Sequence, residues 1–135
     1  PLLELRKLLE SEVGLRVFCT QMPSSVAGMY AFVPDLGYCI LINRKHPDER
    51  QRFTLAHEYG HFLFHRHKPG IDYLRAEARK PPDERAADAF STSFLMPQTG
   101  IRRHFLEIRT VTGDFQVADL CRLSNLYFVS VQAMA

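Results

Sequence analysis

No stretch of the sequence approaches the ~18 consecutive apolar residues that a membrane span requires. Cysteine is scarce: Cys19, Cys39 and Cys121 are odd in number and widely spaced, and no CxxC pair occurs. That removes a thiolate zinc site and a disulfide framework, and leaves three reduced, small hydrophobes in a cytoplasmic protein as the expectation. The start, Pro1-Leu2-Leu3-Glu4, has no basic n-region and no apolar h-region, so no secretory signal is expected. A chain beginning at Pro1 and ending at Ala135 inside a helical pattern is compatible with an excised domain or with a processed end. Nor is there a surplus of one charge. Seventeen Lys and Arg against fifteen Asp and Glu give a formal net charge of +2. This is not the balance of a dedicated nucleic-acid binder, although it leaves room for a local basic patch. Internal repeats and low-complexity tracts are missing too. What is there is ordinary: 135 residues, 46% apolar and 24% charged, enough for one globular domain around a single core.

Leu2, Leu3, Leu5, Leu8 and Leu9 recur at helical spacing, which predicts an amphipathic helix over 2–12, ended by Gly14. Three short β-type runs follow, at 15–19, 29–33 and 38–42. The four-residue Pro34-Asp35-Leu36-Gly37 turn favours an antiparallel hairpin between the second and third. Pro47 and Asp48 open a helix that carries Phe53, Leu55, Ala56, Tyr59, Gly60, Phe62, Leu63 and Phe64. Such a helix is apolar over most of its circumference and runs through a core. Residues 67–80 read as a loop. Pro81-Pro82-Asp83 starts the next helix, which Pro97 and Gly100 end, and short helices are expected near 101–108, 115–123 and 130–135. Strands early and helices late make this an α+β chain. The expected fold is a small antiparallel three-stranded sheet packed on the 48–65 helix, followed by a helical C-terminal part. The expected organisation is one domain over 1–135, with a core at 1–97 and a helical tail at 98–135.

The sharpest signal is His57-Glu58-Tyr59-Gly60-His61, an HExxH motif. On a helix, residues i and i+4 share a face, so two imidazoles can converge on one Zn²⁺. Glu58, beside the first histidine, can reach an attacking water without binding the ion. Two imidazoles buried next to Phe53 and Phe62 would otherwise have little to satisfy them. A catalytic zinc needs a third protein ligand and an open position. His65 continues the i, i+4, i+8 series, but eight residues along a straight helix span ~12 Å, too far for the same ion. The HExxHxxGxxH alternative is set aside because Phe64 stands where the required Gly would be. His65 and His67 are therefore expected at the surface or behind a ligand. Glu84 is the better candidate. It lies in the first turn of the next helix, and Asp88 follows at i+4 on the same face. One of the two can bind metal while the other accepts the free ring N–H of a histidine ligand.

At these residues the chain resembles the ImmA/IrrE metallopeptidase family. The resemblance runs through Arg52-Phe53-Thr54-Leu55-Ala56-His57-Glu58-Tyr59-Gly60-His61 and on to His65. It continues through Glu84, Ala87-Asp88 and Phe90-Ser91 into Phe94-Leu95-Met96-Pro97. The run Tyr38-Cys39-Ile40-Leu41-Ile42-Asn43 and the segment Leu126 to Ser130 belong to it as well. Ser91 and Thr92 depart from the small apolar residues often found in that family. The resemblance implies a zincin-like core and zinc-dependent proteolysis, typically of a helix-turn-helix transcriptional repressor. Carried over by position, it implies His57, His61 and Glu84 as ligands of one zinc ion and Glu58 as general base. Asp88 becomes the carboxylate behind a histidine.

Two other readings compete. The segment 115–135, with Val117-Ala118-Asp119-Leu120-Cys121, Asn125 and Val129-Ser130-Val131-Gln132, has the spacing of a helix-turn-helix, and Arg102, Arg103 and Arg122 add positive charge. This would make the chain a DNA-binding regulatory module. The alternative is a non-catalytic zinc-binding sensor, which would have no need of Glu58. A strand near the site could take an extended substrate segment by β-addition. Tyr30, Tyr38, Tyr59, Tyr73 and His65 are the candidates to stabilise an oxyanion.

Overall fold

The computed structural model describes residues 1–66 and 82–135. The loop reading of 67–80, and with it His67 and Tyr73, lies outside them. Helix α1, Leu2–Leu8, buries Leu5 and continues as a π-helical turn over Leu9–Val13 that buries Leu9. The expected single helix over 2–12 thus changes pitch in its second half. It ends where Gly14 adopts the left-handed conformation at φ 79°, which glycine enters without a Cβ penalty.

Strands β1 (Arg16–Thr20), β2 (Gly28–Val33) and β3 (Gly37–Asn43) form one sheet in the order β1-β3-β2. The hairpin expected across Pro34 to Gly37 is present, with Val33 opposite Gly37 and Tyr30 opposite Ile40. The sheet is not purely antiparallel, however. β1 runs parallel to β3, with Val17 aligned on Ile40 and Cys19 on Ile42. The reason is topological. β2 crosses to the far edge, and the hairpin then returns β3 into the middle slot, so two reversals restore the direction of β1. Sequence alternation gives a strand's faces but not its neighbours.

Buried Asn43 organises the crossing segment. Its Nδ2 donates to the carbonyls of Met22, Pro23 and Val26 at 3.1, 3.0 and 2.9 Å. Its Oδ1 accepts from the Met22 and Lys45 backbone N–H groups. One buried side chain thereby ties the crossing segment to the end of β3.

Helix α2, Asp48–His65, lies against β2, β3 and α3, where α3 is Pro82–Leu95. The core joins Leu5, Leu9, Leu15, Val17, Ile40 and Ile42 to Leu55 and Ala56 of α2, Leu95 of α3 and the later Val129. Helix α4 (Gln98–Thr112) contains no buried residue, whereas α5 (Val117–Tyr127) buries Asp119, Leu123 and Ser124. Helix α6 is a single turn, Val131–Met134. Arg52 of α2 donates from Nη1 to the carbonyls of Tyr127 and Phe128. It thus caps the end of α5, where Phe128 takes a left-handed conformation at φ 52°. No helix among the described residues is long and apolar enough to cross a membrane.

Candidate metal centre

Helix periodicity puts His57 and His61 on one face of α2, and both are buried, at 2% and 3% exposure. What brings the third group to them is the closeness of α3. A Cβ on Gly60 would stand 3.3 Å from the Ala87 Cα and 3.1 Å from Phe90 Cδ1. Two small residues at the crossing let the backbones approach, so a carboxylate as short as that of Glu84 reaches across. Its Oε1 lies 3.0 Å from His61 Nε2 and its Oε2 3.2 Å from His57 Nε2, while the two Nε2 atoms are 3.1 Å apart. His57, His61 and Glu84 form a group able to hold a metal ion among the described residues.

The second nitrogen of His57 settles what its first can do. Nδ1 lies 2.9 Å from Asp88 Oδ1. A carboxylate only accepts, so Nδ1 donates to Asp88, and Nε2 is left as the nitrogen whose lone pair a metal ion could take. Burial pushes the His57 pKa below its ordinary value, His61 adds to that, and Glu84 and Asp88 pull against it. A bare imidazole nitrogen facing a second imidazole and a carboxylate is a cluster of electron pairs that a cation would reconcile. The spacing also fits. Ligands ~2.0–2.1 Å from a tetrahedral zinc are ~3.3 Å from one another; here the two ring nitrogens are 3.1 Å apart, and each has one Glu84 oxygen at 3.0 or 3.2 Å. Two imidazoles and one carboxylate suit Zn²⁺ by ligand type.

Glu58 is 1% exposed and sits one residue beyond His57. It is approached by the start of β2, where a Cβ on Gly28 would be 3.7 Å from Glu58 Cγ and only 2.5 Å from Thr54 Cγ2. Edge strand β2 can pass this near to α2 only because residue 28 has no side chain.

The oxyanion candidates part company. Tyr59 packs among Phe62, Phe90 and Phe94. Tyr30 and Tyr38 stack with centroids 5.9 Å apart, and both lean on Phe62. The Tyr30 phenol is pushed up to about 12 by burial and by Tyr38, against the opposing charge of Arg66. It stays a donor across the working pH range. His65, expected at the surface or behind a ligand, is mostly buried behind His61.

The Gly28 and Gly60 close approaches and the Asn43 hub escape a reading of the sequence. A glycine inside a strand or helix signals a near neighbour without naming it. His65, one turn past His61, carries its signal in the same spacing as the motif itself.

The family described as IrrE N-terminal-like domain, Peptidase_M78, matches residues 10–135. Among solved structures, a Mycobacterium tuberculosis transcriptional regulator superposes with a TM-score of 0.66 at 18% identity. The match takes in 98% of this chain but 38% of that one, and at such identity it speaks for the fold alone. None of the curated proteins compared with the chain matches it.

Proposed function

The chain belongs to the IrrE N-terminal-like family, whose function is of metallopeptidase type, and from that premise we propose a zinc-dependent endopeptidase. His57, His61 and Glu84 hold the single ion, Glu58 is the general base, and Asp88 orients His57. The observation that carries this reading is the convergence of His57 Nε2, His61 Nε2 and the Glu84 carboxylate, with each ring nitrogen 3.0–3.2 Å from the other and from one carboxylate oxygen, and with His57 Nδ1 held by Asp88 on the far side.

Zinc bound there would polarise the scissile carbonyl and make a water nucleophilic near neutral pH. Every other task falls to side chains of this protein. Glu58 takes the proton of the attacking water and returns it to the departing amine, so the carboxylate ends as it began. Asp88 steadies the His57 ring. An extended substrate segment pairs along the outer edge of β2, which has no strand beside it among the described residues, a role supported by the closeness of Gly28 to Glu58.

The resemblance to ImmA/IrrE proteins supports a helix-turn-helix transcriptional repressor as the substrate, cut at a specific site. Three free cysteines support the cytoplasm as the compartment. The division into a zincin-like core at 1–97 and a helical tail at 98–135 is supported by Pro97 at the junction of α3 and α4. The test uses a co-purified repressor. Glu58→Gln keeps zinc and lowers cleavage by about 10²-fold or more, and Glu84→Ala loses the metal. A fully active Glu58→Gln variant overturns the mechanism. Full zinc content in Glu84→Ala overturns the ligand set. A non-catalytic sensor would instead hold zinc and never cleave, and a DNA-binding module would bind DNA with steep salt dependence.

A further inference from the structure

His65 has no part in the ligand set or in the proton transfers above, yet it is held on both sides. Its Nδ1 is 3.1 Å from His61 Nδ1. Its Nε2 is 3.3 Å from Asp83 Oδ1, and its side chain is 11% exposed against 39% for Asp83. With a metal at His61 Nε2, as the zinc reading has it, the His61 ring proton sits on Nδ1 and is donated to His65 Nδ1. His65 then carries its own proton on Nε2, where the Asp83 carboxylate accepts it.

The geometry points to His65 as a positioning residue for His61, with Asp83 holding His65 in turn. This inference rests on the zinc reading of His57, His61 and Glu84. It gives the two histidine ligands matching support by different means. His57 is steadied directly by Asp88, two turns into α3. His61 is steadied through a second imidazole by Asp83, in the first turn of α3. It also resolves the i, i+4, i+8 series along α2. The third histidine is too far along the helix to share the ion, but it is one turn from the ligand that does, which is where a ring can meet the outer nitrogen of His61. Both supporting carboxylates come from the helix that supplies Glu84, so the spacing of α2 and α3 sets all three ligands together.

The test is zinc affinity of the full chain, read by competition with a chromophoric chelator, with cobalt absorption as the spectroscopic check. His65→Leu keeps the volume and removes the acceptor; the expected result is zinc binding weakened about 10–100-fold with an altered cobalt spectrum. His65→Gln offers an oxygen to the His61 N–H and recovers most of that loss. Asp83→Ala, at a half-exposed position, weakens zinc by about tenfold and decides the matter if His65→Leu does not fold. Affinities of His65→Leu and Asp83→Ala within about twofold of the parent overturn the role of His65 while leaving the zinc reading intact. Equal loss in His65→Leu and His65→Gln overturns it as well, since packing alone would then explain the effect. A parent chain that takes up no zinc overturns both readings at once.

Discussion

Gly60 lies over Ala87 so tightly that the first carbon of any side chain at position 60 would come within 3.3 Å of the Ala87 Cα. This crossing, made in the middle of the HExxH motif itself, sets how far Glu84 must reach. Adding bulk here acts on the ligand set without touching a ligand. Gly60→Val is expected to cost about 1–3 kcal/mol through overpacking and to lower zinc occupancy. Urea denaturation and elemental analysis check the two effects separately.

Asp88 accepts from His57 Nδ1 at 2.9 Å. Asp88→Ala frees the ring to rotate and to change tautomer, and zinc affinity is expected to fall about 10–100-fold. Asn at this position keeps an acceptor and loses less. Chelator competition on both variants gives the order, and equal affinities would remove Asp88 from the orienting role.

Arg52 ties α2 to the end of α5 through two carbonyls, 75 and 76 residues away in sequence. Burial lowers its pKa below the ordinary arginine value, with Glu4 pulling the other way. Charged hydrogen bonds of this kind contribute about 1.5–3 kcal/mol each. Arg52→Met keeps much of the apolar stem and is expected to lower stability by about 2 kcal/mol, measured by denaturant midpoint at constant slope.

Alkaline stability follows from Tyr30. Its folded pKa is raised from 10.0 to about 12, so between those values the folded chain retains a proton that the unfolded chain gives up. The contribution is fully present below pH 10 and is lost as pH rises toward about 12, the sign that linkage requires. Tyr30→Phe is expected to flatten that part of the stability curve and to remove one phenolate from the ultraviolet difference titration.

Much of the centre was legible because it is written in helical periodicity. His57 and His61 share a face at i, i+4, and so do Glu84 and Asp88, and the structure brings the two pairs together. The β2–β3 hairpin was legible from its turn. The order of the sheet was not, because alternation along β1 is the same whichever strand lies beside it. The pitch change at Leu9 leaves no pattern that distinguishes it from an ordinary turn. Asn43 looks like any strand-end polar residue until the carbonyls of Met22, Pro23 and Val26, some 20 positions earlier, close around it. Asp83 reads as an acid suited to a helix N-terminus, and only tertiary structure shows His65 beside it.

Helix α4 contributes none of its fifteen residues to the buried interior. Its apolar face, with Ile101, Phe105 and Ile108, is only half-buried, so its free energy of opening is expected to be smaller than that of α2, which runs through the core. In a hydrogen-exchange experiment the amides of 98–112 trade with solvent well before those of the ligand-bearing helices. A low cost of opening would make this stretch the place where sequence can drift, or a fused segment be accommodated, while the packing of α2 on α3 stays undisturbed.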